Sequence, residues 1–229
     1  MQDIYNQQKA TSAGASSFET NKVLRNTYSL LAMTLMFSAV TAGISMAVDI
    51  NFMASMVCSI GALLLIWFVL PRTANSGAGI FVVFAFTGLL GAGLGPILNH
   101  YLAMSNGGSI IMQALGGTAL VFFALSGYVL TTRKDFSFMG GFLMVGLVVA
   151  LVAIVGTIIA GFFGVQVSGI SLAISALIVL LMSGFILYDT SRIIHGGETN
   201  YIMATTSLYL NIYNLFTSLL HILGVMGDE

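Results

Sequence analysis

YIMATTSLYLNIYNLFTSLLHILGV, residues 201–225, is the last long apolar run of the chain. No Asp, Glu, Lys or Arg interrupts it between Glu198 and Asp228. A helix of about 25 residues is long enough to cross a hydrocarbon core of roughly 30 Å. Read at alternating steps of four and three, the segment carries Asn200, Ala204, Ser207, Asn211, Asn214, Ser218 and His221. That spacing is one face of a helix. Amide, hydroxyl and imidazole groups find no partners in lipid, so the stripe must turn toward other helices or a wet cavity. Two readings stay open: interhelical hydrogen bonds, or the lining of a pore. Either way the segment is expected to span the membrane inside a bundle.

The rest of the chain agrees in class. Of 229 residues, 58% are hydrophobic and 7% charged, against about 25% charged in a soluble domain. A water-facing surface is not available from this composition. Transmembrane strands would require alternating segments of roughly 10 residues, whereas the apolar runs here are long and unbroken, so the spans are helices. With 26 Gly and 2 Pro, the chain suits close helix packing better than broken helices. The single Cys58 lies within an apolar run and is read as a packing residue. Formal net charge is −1, and no nucleic-acid partner is expected. The lipid bilayer is the expected environment.

Seven spans are counted, at about 26–48, 52–70, 78–98, 108–130, 139–163, 169–189 and 201–225. They form an expected membrane domain over 22–229, preceded at 1–21 by a polar segment read as a mobile cytoplasmic tail. If that tail is cytoplasmic, alternation puts Lys9, Lys22, Arg25, Arg72, Arg133, Lys134 and Arg192 on the same side. Those are all seven basic residues, and their one-sided distribution supports both the count and the orientation. Gly91 and Gly95 are four apart in the third run and would let a neighbouring backbone approach. The expected fold is therefore all-α: a seven-transmembrane-helix bundle with a cytoplasmic N-terminus.

Enzyme motifs are lacking. There is no Gly-x-Ser-x-Gly, His-Glu-x-x-His, Gly-x-x-x-x-Gly-Lys or Cys-x-x-Cys. His195 and Glu198 flank two glycines, which is poor spacing for a metal pair, and no metal or cofactor is expected. Asp189 carries more information. Placed at the cytoplasmic end of the sixth run, it faces the negative end of the helix dipole partly out of water, so its charge depends on its partner. Arg192, three residues on, and Arg72, at the end of the second run, are the available cations. This constellation reads either as a pH-responsive latch or as a structural salt bridge. His221 is expected to be a hydrogen-bonded packing residue. Tyr28, Tyr101, Tyr128, Tyr188, Tyr201 and Tyr209 are assigned to an interfacial belt near helix ends.

Three motifs together resemble the Bax inhibitor family, the transmembrane Bax inhibitor motif proteins. They are Gly93-Leu94-Gly95-Pro96-Ile97-Leu98, Gly116-Gly117-Thr118-Ala119, and Leu187-Tyr188-Asp189-Thr190 followed by Ile193-Ile194-His195. Asn21 to Tyr28, Tyr128 to Lys134 and His195 to Ile202 are similar to a bacterial inner-membrane branch of that family. The resemblance implies seven helices with the last one central. It also implies a pH-sensitive calcium leak, closed by a hydrogen bond between two aspartates on the sixth and seventh helices, with calcium as the transported ion. Asp189 matches the first aspartate, whereas Asn211 stands at the second. An amide cannot titrate, and the pair lacks the like-charge repulsion that would open a carboxylate dyad. For the bacterial branch, the resemblance implies a substrate and modulator of the membrane-anchored ATP-dependent protease FtsH, engaged through the N-terminal tail.

Overall fold

A computed structural model describes the backbone of residues 2–164 and 168–227, and the side chains of 20–164 and 169–227. Nine α-helices and no strands occur among the described residues. They are α1 (Gln2–Ala47), α2 (Phe52–Leu64), α3 (Leu70–Thr73), α4 (Ala78–Gly93), α5 (Gly95–Leu102), α6 (Gly107–Thr132), α7 (Gly140–Phe162), α8 (Ser168–Ile194) and α9 (Tyr201–Gly227). Joined where they are continuous, they make seven spans: Thr20–Ala47, Phe52–Thr73, Ala78–Leu102, Gly107–Thr132, Ser137–Phe162, Gly169–Ile194 and Tyr201–Gly227. The backbone of α1 is helical from Gln2, so the polar segment assigned to a tail continues the first helix. Among the residues whose side chains are described, Thr20–Ala47 forms the first apolar span.

Helix α9 stands at the centre, packed against α1, α4, α6 and α8. Half of its apolar window is buried, compared with 11% for the fifth span, which packs on α8 at the periphery. The third span is as deep as the last, with 56% of its window buried. Val83 and Phe86 are fully enclosed there, and Phe86 meets Tyr209 of α9 edge-on at 5.7 Å. Nothing in the hydropathy of that run separates a face toward protein from a face toward lipid, because lipid tails are as apolar as the core.

Both prolines shape their spans. Pro96 has no N–H for the Ala92 carbonyl four residues back, and the Ser45 hydroxyl of α1 donates to that oxygen instead, at 2.6 Å. The Ser55 hydroxyl of α2 donates to the Gly93 carbonyl at 2.6 Å. The third span therefore breaks at Leu94 with its backbone oxygens satisfied by neighbouring helices, as a membrane interior demands. A Cβ at Gly95 would occupy the position of the Ser45 side chain, and one at Gly91 would overlap the Ser38 carbonyl and the Thr41 hydroxyl. Both glycines thus lie against α1. Before Pro71, the second span widens into a π-helical segment, Leu65–Val69, in which the Leu70 amide reaches back to the Leu65 carbonyl.

The sixth span also ends later than the sequence suggested. Asp189 was read as its terminus, but α8 runs on to Ile194. Gly196, at φ 75°, supplies the left-handed residue that stops it, and the Gly197 amide bonds the Arg192 carbonyl at 2.8 Å. Asn200 then caps α9, its Oδ1 accepting from the amides of Ile202 and Met203 at 2.9 and 3.2 Å. Its amide nitrogen donates to the Ala74 carbonyl at 3.0 Å, tying the loop before α9 to the loop after α3.

Candidate functional site

Asp189 sits more than one turn inside α8, 6% exposed, opposite Asn211 of α9, which is 7% exposed. The Asn211 side-chain nitrogen donates to Asp189 Oδ2 at 2.7 Å. Ser207, one turn earlier on α9, also interacts with the carboxylate. A buried carboxyl requires such donors, and the spacing of Ser207 and Asn211 on one helix face supplies them.

Neither arginine proposed as partner bonds it. Arg192 pairs with Glu198 at 3.5 Å, donates to the Gly197 carbonyl at 3.0 Å and lies over the Tyr188 ring. Arg72 donates to the Phe68 carbonyl of its own span. Continuation of α8 past Asp189 carries Arg192 out to the loop, where Glu198 is the nearer anion. The contact at Asp189 is therefore carboxyl to amide, without an ion pair to it among the described residues.

The remaining stripe residues divide. Ser218 is buried, whereas Asn214 is half-buried and donates to the Leu210 carbonyl of its own helix at 2.8 Å. His221 Nδ1 lies 2.9 Å from the Ser175 hydroxyl of α8. The stripe thus meets α8 at two levels, through Asn211 and through His221. It does not line the cavity. That space, about 520 Å³, opens on the neighbouring face of α9, at Tyr209, Ile212, Tyr213 and Phe216. Of the two readings open for Ser207, Asn211, Asn214, Ser218 and His221, contact with a neighbouring helix describes Asn211 and His221; helix periodicity identifies a face but not the surface that covers it.

A hydroxyl network beside Asp189 went unread in the sequence. The Tyr28 hydroxyl lies 2.6 Å from Ser126 Oγ, and Ser126 Oγ lies 3.0 Å from Thr190 Oγ1, joining the first, fourth and sixth spans. Deeper in the bundle, Tyr209 pairs with Ser38 at 2.7 Å and reaches the Thr87 carbonyl at 3.3 Å. Tyr209 is 1% exposed and about 12 Å into its helix, so it is a core residue and not part of an interfacial belt. The available signal was the hydroxyl series Thr27, Thr34, Ser38 and Ser45 on α1, all buried at near-heptad spacing.

At the same end of the bundle, His195 and Glu198 are engaged separately. The His195 ring nitrogens face the Ser191 and Arg133 carbonyls at 2.9 and 3.1 Å, while Glu198 accepts from the Asn200 amide at 2.9 Å. Among the described residues, no three His, Cys, Asp or Glu side chains converge as a metal site. Asp135, in the loop after α6, is held below the usual carboxylate range by donation from the Ser137 hydroxyl and amide.

Seven apolar helices, the last of them central, with an acid–amide pair enclosed between the sixth and seventh spans, define a multi-pass α-helical membrane protein. The chain belongs to the Bax inhibitor family: the family described as "Inhibitor of apoptosis-promoting Bax1" matches residues 20–228. It is 54% identical over 93% of its length to the Escherichia coli K12 protein named "Modulator of FtsH protease YccA", covering 94% of that protein. An "Inner membrane protein YccA" from another Escherichia coli strain matches equally. An "Uncharacterized membrane protein" of Vibrio cholerae is 52% identical over 96% of both chains. The protein is accordingly a multi-pass protein of the inner membrane.

Proposed function

We propose that this protein binds and modulates a membrane-anchored ATP-dependent protease of the FtsH type, engaging it through its N-terminal segment and performing no catalysis of its own. The observation that carries this reading is the 54% identity, over 93% of the chain, to a protein named as a modulator of FtsH protease. The segment before Thr20 is polar in sequence, as a handle for such a machine requires. Interhelical bonds such as Asn211 to Asp189 and Ser45 to the Ala92 carbonyl would resist extraction of the bundle. The one-sided basic residues support a cytoplasmic N-terminus. Deleting residues 2–15 is expected to abolish co-purification with the protease and to slow turnover of the protein in cells. Association and half-life equal to the native chain would refute entry through this segment.

A second reading is a pH-sensitive calcium leak gated at Asp189, favoured by its enclosed contact with Asn211 at 2.7 Å. The expected result in calcium-loaded liposomes is a flux whose dependence on pH disappears in Asp189→Asn. If native protein passes no calcium on either side of neutral pH, the leak is ruled out. A flux gained only in Asn211→Asp would show that the amide silences the pair.

A further inference from the structure

The 520 Å³ cavity is a cleft between the first and fourth spans, with α9 as its floor. Its wall on α1 runs from Tyr28 to Met46 along one helix face, a depth of about 27 Å at 1.5 Å per residue. Dividing the volume by that depth leaves about 20 Å² for the centre of a water-sized sphere, a bore about 8 Å across. A helix, with a diameter of about 10–12 Å, is too wide for that bore. A single hydrocarbon chain is the molecule of this length and width that a bilayer supplies.

The chemistry of the wall agrees. Its hydroxyls are mostly spent within the protein: Ser38 on Tyr209 at 2.7 Å, Thr118 on the Ala114 carbonyl at 2.7 Å and Tyr28 on Ser126 at 2.6 Å. The Tyr213 hydroxyl is the exception among the described residues. Such a wall makes little demand for water. The rims of the cleft are open to lipid, since Ala39 and Gly43 on one side and Ala119 and Phe123 on the other are exposed. At its Tyr28 end, Arg25 lies one turn further along the same face of α1, exposed, and among the described residues no side-chain hydrogen bond or ion pair engages it. A guanidinium at the mouth of an apolar cleft complements a phosphate at the head of a chain.

We propose that the cleft between the first and fourth spans is a phospholipid site, holding one acyl chain along α1 from Tyr28 to Met46 with the lipid phosphate at Arg25. The site is separate from the Asp189 and Asn211 pair, neither of which lines it.

The test uses full-length protein in phosphatidylethanolamine vesicles carrying a trace of phosphatidylglycerol with a photoactivatable acyl chain, with labelled residues mapped by peptide mass spectrometry. Label is expected to concentrate on Phe216, Thr118 and Ala39 above the level at Val152, a lipid-facing residue of α7. A Cβ at Gly43 meets open space, so Gly43→Phe combined with Ala119→Phe fills the cleft without disturbing a packed helix. That variant is expected to lose label at the wall and keep it at Val152. Arg25→Gln, at an exposed position, is expected to weaken wall labelling with a native melting temperature. Wall labelling no higher than at Val152, or unchanged in the filled variant, means annular lipid only and overturns the site. Native labelling in Arg25→Gln overturns the phosphate assignment.

Discussion

Gly91→Ala is expected to destabilise the bundle by about 1–3 kcal/mol although it adds a single methyl group. The new Cβ would overlap the Ser38 carbonyl and the Thr41 hydroxyl of α1. A backbone carbonyl inside a helix has no rotamer with which to give way, so α1 and α4 would have to separate. In a membrane that separation is serious, because helices adhere through close packing and hydrogen bonds and not through a hydrophobic drive. The control is Gly156→Ala on α7, where a Cβ meets nothing within 4 Å. There the intrinsic helix preference for alanine operates alone, and the change is expected to be neutral or stabilising by up to about 1 kcal/mol. Thermal melting of both variants in one detergent decides the matter. Equal melting temperatures would mean that the contact of α1 with α4 is loose.

Asn211→Leu is expected to lose about 2 kcal/mol or more, since it leaves the Asp189 carboxyl buried without its amide donor. Asp189→Leu alone also loses stability, by stranding the amide of Asn211 in the same enclosed space. The double variant is the discriminating case. With both polar groups gone, only the half-buried Ser207 hydroxyl loses a partner, and the protein is expected to return to within about 1 kcal/mol of native. Denaturation midpoints in mixed micelles give the three values as a double-mutant cycle. Additive losses would show that the two side chains are not coupled and that the carboxyl is held elsewhere, for instance through Ser207.

These two sites differ in how far the sequence revealed them. Gly91 and Gly95 were visible as a pair four apart, but Ser38 and Ser45, the groups they admit, lie some fifty residues away on another helix. Asp189 stood out as a carboxyl in an apolar run, and Asn211 as the amide at the place of a second aspartate. Arg72 and Arg192 competed with Asn211 on paper, because spacing along one helix says nothing of where that helix ends. Once Gly196 rather than Asp189 terminates α8, Arg192 belongs to the loop with Glu198, and Asn211 faces the carboxyl together with Ser207. The hydroxyl bridge of Tyr28, Ser126 and Thr190 left no mark in any one run, since each span contributes a single group.

The sequence by itself determined the class, the seven spans and the inward position of the last helix. Each follows from local quantities: twenty or so uncharged residues, and polar groups at helical spacing that lipid cannot satisfy. The tertiary structure alone decided which helix the polar stripe meets, that the cavity opens on a different face of α9, and that the third span is as deeply buried as the seventh. The physical reason is that lipid and protein core are equally apolar. Hydropathy that marks a buried face in water marks nothing in a bilayer, and only the packing of distant segments assigns each face its neighbour.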